Sequence, residues 1–146
     1  MMENAMPRSG KILAWFALIS GVTTIVTPVL VRLLSSAWWP PFSIALCLAL
    51  GIGSATGGYF GLKGKAWAFW LLFGVFLVQI AEYASQTFYI SFIGPVALKF
   101  GWGWYSPPSH FNLNVLAILV CIFAAYVARG LTRRSSGPPQ PASAQL

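Results

Sequence analysis

Four apolar blocks, Ile12–Leu34, Phe42–Leu62, Ala66–Thr87 and Phe111–Leu131, constrain this chain more than anything else in it. Each is close to the ~20 residues an α-helix needs to cross a hydrocarbon core ~30 Å thick. Together they occupy most of the 146 residues, which leaves no room for a separate soluble domain. Only 8% of the residues are charged, where soluble domains carry about 25%. The expectation is an all-α membrane protein: a four-transmembrane-helix up-down bundle over residues 1–131, with residues 132–146 as a disordered cytoplasmic tail. That tail, rich in Pro, Ser and Gln, has nothing apolar to bury.

The first block resembles a secretory signal in its basic flank, Arg8 and Lys11. Signal cores run about 7–15 residues, however, and this block is longer, so it reads as a retained span.

A net charge of +7 invites a nucleic-acid partner, but its distribution argues for topology instead. Arg8, Lys11, Lys63, Lys65, Arg129, Arg133 and Arg134 fall on one side if all four blocks cross, and only Arg32 and Lys99 fall on the other. Basic residues collect on the cytoplasmic side, which puts both termini there, in the inner (plasma) membrane of a bacterial-type cell. The expected partner is the lipid bilayer, with no nucleic acid. All seven tryptophans agree: Trp15, Trp67 and Trp70 mark the inner interface, and Trp38, Trp39, Trp102 and Trp104 the outer one.

Cys47 and Cys121 lie at different depths by helix rise, so a disulfide is not expected. With one His, no Asp and two separated Cys, no metal site has ligand spacing, and no cofactor motif is evident.

The links Ser35–Pro41 and Lys63–Lys65 are short, which makes spans one to three antiparallel neighbours. Phe88–Ser109 is longer and too apolar for an ordinary loop. Phe88, Ile90 and Phe92 alternate with Tyr89 and Ser91 before Gly94-Pro95. Beyond it, Val96, Leu98, Phe100, Trp102 and Trp104 alternate with Ala97, Lys99, Gly101, Gly103 and Tyr105. A period of two around a Gly-containing turn predicts a small outer β-hairpin. The alternative is that span three runs on to Phe92 and an interfacial half-helix follows. Ser109 is the expected N-cap of span four.

Three patterns bear on function. Ala45, Ala49, Gly53, Gly57 and Gly61 recur every four residues on span two, a small-residue ladder that lets another helix approach closely. Its user is either a neighbouring span or a second copy. Ser20, Thr23, Thr24 and Thr27 share one face of span one, where hydroxyls often bond back to their own helix. Gln79, Glu82, Tyr83 and Gln86 share one face of span three, and intramembrane carboxyls are costly enough to suggest function. Counted as helix, Glu82 lies about 24 Å up the core, level with Thr24 and Thr27 and within reach of His110. These seven, Glu82, Gln79, Gln86, Tyr83, Thr24, Thr27 and His110, form a candidate polar pocket near the outer mouth. The plainer alternative is a satisfied structural carboxyl.

In its size and single membrane Glu the chain is similar to the small multidrug-resistance transporters. Those carry the Glu in their first helix, where this chain has only hydroxyls, so no family is assigned. The preferred reading is a non-enzymatic interaction or accessory protein, either a homo-oligomer or bound to a membrane partner, packing through the Gly ladder. The alternative is a small transporter or channel with Glu82 lining an outward pocket. With so few acids and one His, a lipid-processing enzyme is disfavoured.

Overall fold

The computed structural model describes residues 6–34, 41–85, 89–91, 97–105 and 108–135. The chain is mostly helical, with a four-stranded antiparallel sheet inserted before the last helix. The elements in order are α1 (Arg8–Leu34), α2 (Pro41–Leu62), α3 (Ala66–Leu77), β1 (Ala81–Ser85), β2 (Tyr89–Ser91), β3 (Lys99–Tyr105), β4 (Pro108–Asn114) and α4 (Val115–Ser135). Three helices, α1, α2 and α4, are long and apolar enough to cross a membrane. α3, with 12 residues, is about 18 Å long and is not.

Successive helices are antiparallel, and glycine sets how closely they meet. A Cβ on Gly58 would sit 2.5 Å from the backbone N of Leu18, and one on Gly51 would lie 3.0 Å from the carbonyl of Gly21. α1 and α2 therefore touch backbone to backbone. On a second face of α2, Gly53 meets Val75, Gly57 meets Leu72 and the Ala68 carbonyl, and Gly61 meets Phe69 as well as Ala14 of α1. The ladder is thus used by neighbouring helices of the same chain, while Ala49 stays exposed. The core where α1, α3 and α4 meet is built from Leu13, Ala14, Ala17, Phe69, Leu72, Phe76, Ala117, Val120 and Ala124.

The α2–α3 link is a Schellman motif. The N–H of Gly64 bonds to Gly61 O at 2.9 Å, and that of Lys65 to Phe60 O at 3.2 Å. Gly64 takes φ +71, the left-handed conformation that closes such a cap and that glycine adopts without a Cβ penalty.

The expected span Ala66–Thr87 is not one helix. After Leu77 the bonds shorten to three-residue turns, Gln79 N–H to Phe76 O and Ile80 N–H to Leu77 O, and the chain then becomes β1. The spacing of Gln79, Glu82 and Tyr83 fits a helix face, but strand alternation fits residues 81–85 equally well. The pairing of β1 with β4, residues far along the chain, decides between them.

The outer hairpin is also corrected. Strands do form on both sides of Gly94-Pro95, yet they do not pair with each other. The sheet order is β2-β1-β4-β3, so β2 and β3 lie at opposite edges. The residues of the supposed turn lie outside the described ones, as does Gln86.

Ser109 lies inside β4 rather than capping a helix. The cap is Asn114: its Oδ1 accepts from the N–H of Ala117 at 3.3 Å and from that of Leu98 at 3.2 Å. Its own N–H bonds to Ile80 O at 2.7 Å. The buried side chain of Asn114 therefore joins the start of β3 to the first turn of α4, and its backbone N–H ties both to the end of α3. Replacing a cap residue by Ala typically costs ~1 kcal/mol and up to ~2 kcal/mol. We expect Asn114→Ala to lower the unfolding free energy measured in detergent by that amount, and Asn114→Asp to recover most of it. α4 runs four residues past the expected end at Leu131, to Ser135, and residues 136–146 are not described.

Candidate functional site

Strand register sorts the side chains of the sheet into two faces, because directly opposed residues point the same way. Glu82, Asn112 and Gly101 stand in one row across β1, β4 and β3. On the same face, one step along, His110 opposes Gly103 and Asn114 opposes Lys99. The opposite face has Tyr83, Phe111 and Trp102 in one row, with Leu113 beside Phe100 and Ser109 beside Trp104. One face is polar and the other aromatic.

Glu82 is the centre of the polar face and is only 4% exposed. Lys99 Nζ donates to its Oε2 at 2.8 Å, and His110 Nε2 lies 4.0 Å from its Oε1. Both partners are about half-exposed, so the pair lies at the edge of the solvent-facing surface with the carboxylate inward. Gly101 makes room for this arrangement: a Cβ there would collide with the side-chain oxygen of Asn112. The result is a buried acid with a short charge-assisted bond to Lys99.

The seven pocket candidates do not all converge. Glu82 and His110 come together, as the sequence suggests. Gln79 is buried at the end of α3, with its Nε2 donating to Val75 O at 3.2 Å. Tyr83 neighbours Glu82 along β1 but stands on the aromatic face, 40% exposed. Thr24 and Thr27 bond to their own helix, Thr24 Oγ1 to Ser20 O and Thr27 Oγ1 to Thr23 O, each at 2.7 Å. Sequence reasoning missed Lys99 as the partner of Glu82, and Asn112 and Asn114 beside it. The signal that was available was the alternation of residues 96–105, which puts Lys99, Gly101 and Gly103 on one face.

The aromatic face is open. Phe100, Trp102 and Trp104 are 58%, 57% and 55% exposed, and Phe100 meets Trp102 edge-on with ring centroids 4.9 Å apart. Among the described residues, two grooves run elsewhere. One, of about 810 Å³, lies along α4 beside Phe73 and Ile80 and ends at Arg129 and Arg133. The other, about 420 Å³ and almost wholly apolar, lies between α1 and α4. Glu82 lines neither. Among the described residues no group of three His, Cys, Asp or Glu side chains gathers to hold a metal ion.

The fold and site together define a mostly helical chain with three potential membrane-crossing helices and a small two-faced sheet. No protein-family model, no curated protein and no solved structure matches it.

Proposed function

We propose that this is a multi-pass membrane protein with both termini in the cytoplasm. Its work is interaction rather than catalysis, and its contact surface is the aromatic face of the sheet. The observation that carries this reading is the exposure of Tyr83, Phe100, Trp102 and Trp104 on one sheet face, around a half-buried Phe111. Exposed apolar patches of this kind mark contact sites, and aromatic residues are enriched where proteins meet.

Three long apolar helices and the gathering of Arg8, Lys11, Lys63, Lys65, Arg129 and Arg133 at one end of the antiparallel helices support the membrane setting. Val75 packs on Gly53, so α2 continues for about 15 Å beyond the end of α3. Strand backbone near that depth is tolerated only where its polar groups are satisfied. β1, which directly follows α3, is paired on both sides, by β2 and by β4.

Because the Gly ladder is filled within the chain, the partner surface moves from α2 to the sheet. Its occupant is a second copy or the outer portion of another membrane protein. Trp102→Ser combined with Trp104→Ser should abolish the complex seen by subunit counting after mild-detergent purification, at unchanged membrane insertion. An unchanged complex would overturn the reading.

The alternative is a transporter or channel with Glu82 in an outward pocket. It has less support, because Lys99 closes the carboxylate and the two grooves lie away from it.

A further inference from the structure

The larger groove differs from an ordinary crevice between helices in its two ends. Its walls are apolar, from Phe73 on α3 and Ile118 and Ile122 on α4, and it closes on Tyr126, Arg129 and Arg133. Ile122, Tyr126, Arg129 and Arg133 follow at intervals of three and four, so they share one helix face. Ile122 and Tyr126 are 61% and 73% exposed on that face. Among the described residues the sole carboxylate, Glu82, is paired with Lys99 in the sheet at the other end of α4. No described acid therefore neutralises the two guanidinium groups.

The dimensions are informative. From Arg129 to Ile118 the groove runs about 16 Å along α4, which is roughly half of a ~30 Å hydrocarbon core, the depth of one leaflet. Its volume of about 810 Å³ falls within the ~300–1,000 Å³ of small-molecule sites. An apolar trough one leaflet deep, ending in two cations on one helix face, matches one ligand chemistry: an acyl chain carrying an anionic phosphodiester.

We propose that this groove is a binding site for one anionic phospholipid of the cytoplasmic leaflet. The acyl chain lies against Phe73, Ile118 and Ile122, and the phosphate sits between Arg129 and Arg133. The guanidinium fork suits phosphate oxygens, and basic recesses between helices on the cytoplasmic side hold such headgroups. The Tyr126 hydroxyl lies at the rim, where an amphipathic ring meets the headgroup layer. The site rests on the membrane reading above but is independent of the aromatic face.

The test uses the full chain purified in mild detergent and exposed to phosphatidylglycerol or to phosphatidylcholine with the same acyl chains. Retained lipid is counted by native mass spectrometry. One phosphatidylglycerol should be held in preference to phosphatidylcholine by roughly tenfold or more, two basic side chains acting on one headgroup. Arg129→Gln/Arg133→Gln should erase that preference. Lys63→Gln/Lys65→Gln removes the same charge from the same side and should leave it intact. Ile122→Trp fills the trough and should release the lipid with both arginines present. Inorganic phosphate at millimolar concentration should not displace it, since the acyl chain supplies part of the contact.

Equal retention of the two lipids, equal loss in the lysine control, or displacement by inorganic phosphate would overturn the site. The membrane reading fails separately, if the chain washes off membranes in alkaline carbonate.

Discussion

Gly58→Leu should destroy the fold as a unit, leaving aggregated protein after detergent extraction where the wild type is monodisperse. A Cβ at this position would stand 2.5 Å from the Leu18 backbone N and 2.7 Å from the Ala14 carbonyl. No side-chain rotamer relieves a clash with backbone, so α1 and α2 must separate along their shared length. Overpacking a well-filled core costs about 1–3 kcal/mol, and parting two helices that touch through glycine belongs at or above the top of that range. Gly74 is the control. Nothing lies within 4 Å of a Cβ there, so Gly74→Ala should be neutral or gain up to ~1 kcal/mol from helix propensity. If both variants behaved alike in size-exclusion and thermal unfolding, close α1–α2 packing would be refuted.

The second large effect is at the buried carboxylate. Lys99→Met removes the short charge-assisted bond to the buried Glu82 carboxylate, and hydrogen bonds to charged groups contribute ~1.5–3 kcal/mol. The half-exposed lysine and the nearby His110 hold the expected loss within that range rather than the ~3–5 kcal/mol of a fully buried pair. Glu82→Gln should cost less, and adding it to Lys99→Met should restore part of the stability. That positive coupling is read from a double-mutant cycle of unfolding midpoints. The same Glu82→Gln variant discriminates between the functional readings. Under the interaction reading, any proton-linked solute flux in vesicles is unchanged, and a flux that disappears would revive transport.

Much of the helical half was legible in the sequence. Block lengths located α1, α2 and α4 to within a few residues, and the four-residue ladder marked a close-packing face of α2 without saying which helix would meet it. What stayed hidden is long-range. Nothing local in Ala66–Thr87 announces that the helix stops at Leu77, because the partner that draws residues 81–85 into a strand is β4. The same blindness misassigned the hairpin: alternation gave the faces of β3 correctly but not which strand would lie beside it. It also shifted the cap from Asn114 to Ser109. A Ser after two prolines looks like a helix start, and the bond from Leu98 to Asn114 connects residues far apart in sequence. For Glu82, a carboxyl in an apolar run was conspicuous, but its cation was reachable only once β3 and β1 were placed on the same sheet.

The sheet order β2-β1-β4-β3 has a consequence for how the chain is made. β1 leaves the ribosome before β2 and β3, yet its other neighbour, β4, is the last strand to appear. At ~5–20 residues per second, the nascent chain waits seconds with one side of β1 unpaired. Until Asn114 emerges to meet Ile80, α3 has no fixed end and α4 no first turn. Synthesis therefore delivers the α1–α2 hairpin early, through contacts between neighbours in the chain. The second half closes in a single late step, when β4 docks.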